Sequence, residues 1–509
     1  MGDHPTPDDS QDLARAGYRQ ELDRTLGSFS AFAAGFSYLS ILTGIFQNFH
    51  LGFKEGGPAF FWTWPLMFLG QLCVALCFAE LAAHYPLCGG VYQWSRHVGS
   101  RFIGWMAGWV YLASLVVTLA AVALALQVTL PAVLPGAQFF RDAKGDPVDS
   151  ARNAVILGSL LIVFSTIVNS RGVRWLARIN NVGVFAELFG VILLTVLLAV
   201  HVRRGPGVLF DTQGRGAAQS GGYFGAFCAA GVMASYVMYG YDTAGTLAEE
   251  TAEPRRRAPR AILQALTAAA VGGGLLLVFA LMSAGDLTDK KLSIPEGGLP
   301  YLVKNVLGDT LGTIFLVDVV FAISVCVLAV HTGAARLLFA MARDGSVPFA
   351  RQLARVTPHT KTPTIPILVI GVATLLLLLV NIDFEQVITT LIAVSIVCAN
   401  LAYLLVTIPL LIRRTTGWPK KRGSGVTGLF ALGKCGIAVN IVAVIWGSLT
   451  VVNMAWPREA VYGKGDWLPY AGVLYTGVLL LVGIGYYGLV QRGRGVTNVA
   501  ASVPESIEK

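Results

Sequence analysis

Apolar residues in this chain are grouped into long runs separated by short polar segments. A helix needs about 20 apolar residues to cross the hydrocarbon core of a bilayer, so each run of that length predicts one transmembrane helix. We predict twelve spans, with ends defined to within a few residues, at 28–49, 60–82, 102–127, 153–169, 177–201, 223–248, 260–284, 311–341, 364–381, 386–412, 433–454 and 469–490. The pattern indicates an all-α polytopic membrane protein without a separate soluble domain.

The run that begins at Tyr223 changes character in its middle. Residues up to Met238 are apolar and small enough for a membrane helix, but Gly240 and Asp242 then place a flexible residue and a carboxylate at mid-membrane depth. Backbone groups freed inside hydrocarbon cost several kcal/mol each unless protein or a polar cavity satisfies them. Secondary transporters use broken helices of this kind to bind polar substrates. The run therefore predicts half of a transporter binding site.

Span 1 carries a similar signal in its second half, where Ser37, Ser40, Thr43 and Gly44 concentrate hydroxyl groups and a glycine. Two interruptions five spans apart are typical of an inverted repeat of five plus five helices. The alternative for span 1 is close helix packing through small residues, which is common in membranes.

Composition and charge support a membrane protein with both termini in the cytoplasm. The chain is 55% hydrophobic and 13% charged, which excludes an ordinary soluble protein. Residues 1–27 lack the apolar core of a signal peptide, and with this segment inside, 26 of the 38 Lys and Arg residues fall on the cytoplasmic side. The net charge of +9 then reflects membrane topology, so no nucleic-acid partner is predicted. A metal site is not predicted either, because Cys73 and Cys77 share a helix face without a nearby His.

The segment after span 2, Glu80–Trp94, reads E-L-x-x-x-x-P-x-x-G-G-x-Y-x-W. It resembles the signature of the amino acid-polyamine-organocation (APC) superfamily of permeases. Gly240–Ile262, Ala335–Pro348 and Thr357–Pro363 resemble further motifs of that superfamily, in family order. The resemblance implies a LeuT-type fold with broken helices 1 and 6, a ten-helix core at 28–412 made of repeats at about 28–201 and 223–412, two additional helices within 413–490, and a cytoplasmic tail at 491–509.

The same resemblance implies the substrate-binding residues. Span 1 is expected to unwind near Thr43 and Gly44, with Ser40 beside them, so that freed N–H groups hold a substrate carboxylate. Leu42 departs from the family by standing where many members have a glycine. On span 6 the break at Gly240 is expected to offer the carbonyl groups of Tyr236, Val237 and Tyr239 to the substrate's ammonium group. Tyr236 also matches an aromatic residue of the family that closes over the substrate. For Tyr236 and Tyr239, ordinary packing between helices is the alternative.

Two carboxylates within spans are candidates for coupling and gating. Glu187 lies inside span 5 without a cation in the nearest turns, and burial disfavours its charged form. It could bind and release a proton, which we favour, or it could ligate Na⁺; a structural hydrogen bond is the third possibility. Asp242 matches a family acidic residue linked to gating, or it caps the restarted half-helix. His331 is expected to hydrogen-bond across helices, and an inner gate or loop network near the inner surface is expected from Glu249, Glu250, Arg255, Arg343 and Asp344.

These observations predict a plasma-membrane permease that imports an amino acid or a related amine such as GABA by alternating access. No cofactor is expected, and the partners are a small-molecule substrate and the lipid bilayer; the oligomeric state is not predicted. A choline or ethanolamine-type carrier, an amino acid exchanger and a nutrient-sensing receptor are alternatives. No H-E-x-x-H, G-x-S-x-G turn or G-x-x-x-x-G-K-[ST] motif occurs, which disfavours an enzyme or an ATP-driven pump.

Overall fold

The computed structural model describes residues 13–14, 16–140, 147–217, 221–295, 297–380, 382, 387–419, 429–463 and 465–492. Nearly all of the predicted tail at 491–509 and the first part of the predicted segment at 1–27 lie outside these ranges. Within them the regular secondary structure is helical, and the β-structure found is two isolated bridges, Leu26 with Thr251 and Thr357 with Thr362. The predicted all-α class is confirmed.

Sixteen main helices organise the described chain. In chain order they are α1 Ser28–Leu39, α2 Ile41–Gly56, α3 Thr63–His84, α4 Gly90–Val98, α5 Arg101–Leu124, α6 Leu126–Val133, α7 Pro147–Ser170, α8 Val173–Val200, α9 Gly222–Ala230, α10 Val232–Val237, α11 Pro254–Ser283, α12 Gly298–Arg343, α13 Thr364–Val380, α14 Val387–Thr415, α15 Gly436–Ala455 and α16 Ala471–Tyr486.

Ten helical stretches of the described chain are long and apolar enough to cross a membrane. Two shorter apolar stretches, Gly222–Val237 and Thr364–Val380, fall where spans 6 and 9 were predicted. The multi-pass membrane class is therefore confirmed, while the count of twelve spans stays a prediction.

The first span is interrupted at Ser40, which separates α1 from α2 with backbone angles φ 31° and ψ 96°. This corrects the expected break near Thr43 and Gly44, since both lie in the first turn of α2. The Gly44 N–H donates to the Ser40 carbonyl over 3.0 Å, and the Thr43 N–H donates to the Ser40 hydroxyl over 3.4 Å. The break falls at Ser40 because its hydroxyl can cap the helix that follows.

The second interruption follows α10 and is where the sequence placed it. Gly240 has φ 99°, a backbone conformation that favours glycine, and a short helical turn restarts at Thr243. The Cα of Gly240 lies against the ring of Tyr38, where an added Cβ would stand 1.9 Å from two ring carbons. Glycine is thus required by both conformation and space.

The interrupted helices lie at the centre of the bundle. Helices α2 and α10 pack against each other, α12 also packs on α2, and α14 packs on both α10 and α5. Gly44 of α2 and Val237 of α10 are in tight contact, because a Cβ on Gly44 would lie 2.4 Å from a Val237 methyl group. In contrast, α15 and α16 carry many exposed apolar side chains and lie at the periphery.

A buried ion pair ties the inner ends of three helices together. Glu80 at the end of α3 pairs with Arg414 at the end of α14, and Arg414 also donates to Asn440 of α15. The second carboxylate oxygen of Glu80 accepts from the Leu432 N–H over 3.0 Å. Both side chains are at most 3% exposed, so the pair holds peripheral α15 to the bundle.

We predict that Arg414→Met lowers the free energy of unfolding by about 3 kcal/mol, because it leaves the Glu80 carboxylate buried and uncompensated. Thermal unfolding of the purified protein measures the loss. Arg413→Met is the matched control, since Arg413 is exposed and donates to a backbone carbonyl, and it should change stability little. Equal effects of the two variants would contradict the role of the buried pair.

Candidate functional site

The carboxylate of Glu187 lies at the first helix break. Its Oε1 accepts from the Ser40 hydroxyl over 2.9 Å and from the Leu42 N–H over 3.0 Å. Glu187 is 1% exposed and comes from α8, 147 residues away in sequence from Ser40. A helix N-terminus is a natural anion site because its first N–H groups are unpaired and its dipole favours negative charge. Here the protein's own carboxylate occupies that site.

The second break is satisfied from α14. Tyr403 accepts the Gly240 N–H over 2.9 Å and donates its own hydroxyl hydrogen to Asp242 Oδ1. Tyr111 of α5 donates to the same oxygen over 2.7 Å. The other oxygen, Asp242 Oδ2, is buried and without a hydrogen-bond partner. Asp242 is therefore a buried acceptor with one oxygen available. Its side chain makes no capping hydrogen bond to the helical turn that follows, so capping does not explain its presence.

A group of tyrosines surrounds the two breaks. Tyr239 shares hydrogen bonds with Thr118 at 2.8 Å and Ser395 at 3.0 Å. Its ring lies 6.0 Å from that of Tyr38 and 6.1 Å from that of Tyr236, centroid to centroid. The hydroxyl oxygens of Tyr38 and Tyr236 are buried and have no partner. Two polar groups at the centre of the bundle are thus free to contact a bound molecule.

All of the predicted site residues are buried, and they gather at the two breaks. The structure brings Ser40, Thr43 and Glu187 together at the first break, and Gly240 with Asp242 at the second; the two groups meet where Gly44 contacts Val237. The N–H groups of Thr43 and Gly44 are taken up by Ser40, whereas those of Ile41 and Leu42 face the Glu187 carboxylate. The substrate roles of these residues stay predictions.

Sequence reasoning missed several residues of this region. These residues are Tyr38, Thr118, Ser395, Asp318 and Tyr403, the last of which hydrogen-bonds both Gly240 and Asp242. The hydroxyl residues carry no distinctive signal, because such side chains are common at span centres. Asp318 was detectable, since it is a carboxylate within an apolar run; it lies over Gly190, where an added Cβ would be 1.8 Å from Asp318 Oδ2. As expected, His331 hydrogen-bonds across helices, to Ser165 and the Ile367 carbonyl.

On the side of the bundle that the sequence predicts to face the cytoplasm, four charged residues form a buried network, Glu249, Glu250, Arg336 and Arg343, which we call the inner ion-pair cluster. Arg343 donates to both oxygens of Glu249 over 2.9 and 2.7 Å, and Arg336 donates to Glu250 over 2.8 and 3.3 Å. Each of the four side chains is at most 1% exposed. Of the residues predicted to form a network, Glu249, Glu250 and Arg343 belong to this cluster, Arg336 was not predicted, and Asp344 pairs with Arg96. Other segments cover the cluster, and its gating role stays a prediction.

The cover includes the segment that precedes α1. Tyr18 donates to Asp344 over 2.7 Å, and the Arg343 guanidinium lies 4.0 Å from the Tyr18 ring centroid. Burial raises the pKa of the Tyr18 hydroxyl, which keeps it protonated as a donor. Arg96 of α4 pairs with the same aspartate. Residues from the segment before α1, from α4 and from the end of α12 therefore cover the inner ion-pair cluster.

Comparisons with known proteins agree with these features. The family model described as "Amino acid permease" matches residues 26–479. The amino-acid permease BAT1 of Arabidopsis thaliana is 28% identical over 92% of both chains, and the GABA-specific permease of Saccharomyces cerevisiae is 24% identical over 94% of this chain and 84% of its own. The methylthioribose transporter of Bacillus subtilis is 28% identical over 68% of this chain and 72% of its own.

We predict that Gly44→Ala destabilises the protein by about 1–3 kcal/mol, since the added methyl group overlaps Val237 where the two interrupted helices meet. Val237→Ala should restore most of the loss in the double variant, because it removes the overlapping methyl. Melting temperatures of the purified variants provide the measurement. Gly477→Ala, which meets open space, is the control; a double variant no more stable than Gly44→Ala would rule out this contact.

Proposed function

Because the chain belongs to the amino acid permease family, we propose that it is a secondary active transporter that imports an amino acid or a related amine such as GABA. It works by alternating access in the plasma membrane, with both termini in the cytoplasm. The observation that carries the proposal is the pair of interrupted helices, which meet at Gly44 and Val237 with a buried carboxylate hydrogen-bonded at the first break.

The proposed architecture is a LeuT-type inverted repeat with twelve spans. Ten long apolar helices and the two shorter ones, Gly222–Val237 and Thr364–Val380, would supply the twelve. The interruptions at Ser40 and Gly240 fall in the first helix of each proposed half, at residues 28–201 and 223–412. Matching positions of this kind are typical of inverted repeats whose binding site lies between the halves.

We assign the coupling role to a proton carried by Glu187. Among the described residues no Lys, Arg or His forms an ion pair with this carboxylate, and it is buried between helices. An intramembrane carboxylate without a cation is costly when charged, which favours proton uptake while Glu187 is buried. Release is favoured in a state that exposes the carboxylate to water. Asp242, held by Tyr111 and Tyr403, is assigned a gating role.

A substrate screen tests the proposal directly. Uptake of labelled amino acids, GABA and choline into proteoliposomes is measured at two pH values, with and without Na⁺. Accumulation of an amino acid or GABA driven by an inward proton gradient is expected. Binding without uptake would instead indicate a sensor, and uptake that needs a counter-substrate inside would indicate an exchanger.

An organic cation carrier is the second candidate, and a second set of tyrosines, around Asp242, favours it. The Tyr403 ring centroid lies 5.7 Å from that of Tyr111 and 5.8 Å from that of Tyr241. Tyr111 and Tyr403 also bind Asp242, whose other oxygen has no hydrogen-bond partner. Aromatic faces and a carboxylate together suit a cationic head group. Choline competing with labelled substrate more strongly than GABA would select this candidate.

We predict that Glu187→Gln abolishes accumulation driven by a pH gradient while leaving substrate exchange largely intact. The amide has the shape of the carboxyl group but cannot take up and release a proton. Uptake and exchange in the same proteoliposomes separate the two effects. Unchanged pH dependence in the variant would reject the proton role.

We further predict that Glu249→Gln opens the inner side, because it leaves Arg343 partly unpaired in a buried cluster. Cys88 reports opening: its thiol is buried and its N–H donates to Glu249 over 2.9 Å. Labelling of Cys88 by N-ethylmaleimide, followed by mass spectrometry, should become at least about tenfold faster.

The matched control is Glu253→Gln, because the Glu253 side chain is 43% exposed and pairs with Arg257 one turn away. Exposed pairs of this kind contribute little, so Cys88 labelling should stay slow. Equal labelling rates in the native protein and in Glu249→Gln would contradict a gating role for the cluster.

A further inference from the structure

The anion site at the start of α2 is already occupied by a carboxylate. Glu187 Oε1 accepts from both the Ser40 hydroxyl and the Leu42 N–H, while Ser40 itself accepts from the Thr43 N–H. The N–H of Gly44 is bonded to the Ser40 carbonyl. A second carboxylate can therefore bind at this helix end through the same donors if Glu187 releases them.

The surroundings of Glu187 carry no compensating charge. From α12, Cys326 and Asp318 interact with it electrostatically, and Asp318 would add negative charge. Four further helices pack on α8, namely α1, α2, α7 and α11. The membrane stretches of α7 and α11, residues 154–169 and 261–283, contain no ionisable residue. Helix α1 contributes Tyr38, and the ionisable residues of α2, His50, Lys54 and Glu55, lie in its last two turns, away from the break. Two charged carboxylates side by side in this dry interior would repel strongly. Simultaneous occupation by two anions is therefore excluded.

Two buried hydroxyl groups close in sequence to the breaks lack a hydrogen-bond partner. The hydroxyl of Tyr38, two residues before Ser40, and that of Tyr236, next to Val237, are both buried without a partner. Buried hydroxyl groups normally find one, and an unpaired group costs about 1–3 kcal/mol. A bound substrate is a natural partner for both.

We propose that Glu187 and the carboxylate of the substrate are alternative occupants of the α2 N-terminus, exchanged by proton uptake. The Glu187 carboxylate takes a proton from the outer solution and becomes neutral. Its hydrogen bonds from Leu42 N–H and Ser40 OH are broken, and both donors then bind the substrate's carboxylate. This inference rests on the proposed transport function and narrows the substrate to amines that carry a carboxylate, such as GABA.

The exchange has a quantitative consequence. If each bound carboxylate requires one proton on Glu187, the apparent Kd rises about tenfold per pH unit on the alkaline side of the Glu187 titration. An amine without a carboxylate does not compete for these donors, so its affinity does not depend on Glu187. The pH dependence of binding therefore differs between the two substrate classes.

The test is the binding of GABA, propylamine and choline to the purified full-length protein across a pH series. Propylamine is GABA without its carboxylate. In the native protein GABA affinity should fall about tenfold per pH unit while that of propylamine stays level. In Glu187→Gln the GABA affinity should become independent of pH. Asp318→Asn, a matched intramembrane carboxylate, should keep the slope.

Infrared difference spectra give a second reading that does not depend on affinity. GABA binding to the native protein should produce the carbonyl band of a newly protonated carboxyl group, and Glu187→Gln should lack it. A pH slope for GABA that persists in Glu187→Gln, or an equal slope for propylamine, would overturn the exchange while leaving the transport function standing. If no amino acid or amine binds or is transported, the proposed function fails and the exchange fails with it.

Discussion

The structure depends on how the freed backbone at the two helix breaks is satisfied. Inside a bilayer each unsatisfied N–H or C=O costs several kcal/mol, so an interruption persists when other groups replace the lost helical bonds. Glu187 from α8 and Ser40 do this at the first break, and Tyr403 from α14 does it at the second. Each break is thereby held by a different flanking helix.

With the breaks held by α8 and α14, α2 and α10 also pack against each other. They contact where the Val237 side chain packs directly against Gly44, which has no side chain of its own. A molecule bound at the breaks would contact both helices at once, since their ends lie side by side. Binding there could change the hydrogen bonds to α8 and α14 together, which a site on a continuous helix could not do.

Much of this organisation could be predicted from sequence because it breaks simple rules. Gly240, Asp242 and Glu187 stand out since a helix breaker and two carboxylates are costly within apolar runs. The exact break at Ser40 could not be predicted, because the Glu187 carboxylate that accepts from Ser40 and from the Leu42 N–H comes from 147 positions away in the sequence. The burial of Glu249 and Arg343 was missed for a related reason: their position near a helix end indicates exposure, but Tyr18 and Asp344 cover them.

The inner ion-pair cluster is suited to a gate by its energetics. Buried ion pairs gain strong attraction but lose hydration, so their net contribution to stability is small. When the inner side opens, water can hydrate all four charged groups and offset the lost pairing. A closed and an open state can then lie close in free energy, even though the closed state contains short bonds such as the 2.7 Å contact between Arg343 and Glu249.

Helix α1 connects this cluster to the first break. Its C-terminal end stops at Ser40. Leu26, which lies two residues before its N-terminal end, is hydrogen-bonded through its backbone to the segment that carries Glu249 and Glu250. The Leu26 N–H donates to the Glu250 carbonyl over 2.9 Å, and the Ala252 N–H donates to the Leu26 carbonyl over 3.0 Å. With 12 residues, α1 is about 18 Å long and has no internal break. A change in the bonding of Ser40 can therefore move a rigid rod whose other end holds Glu250, so the proposed substrate site and the proposed inner gate are joined by one continuous element.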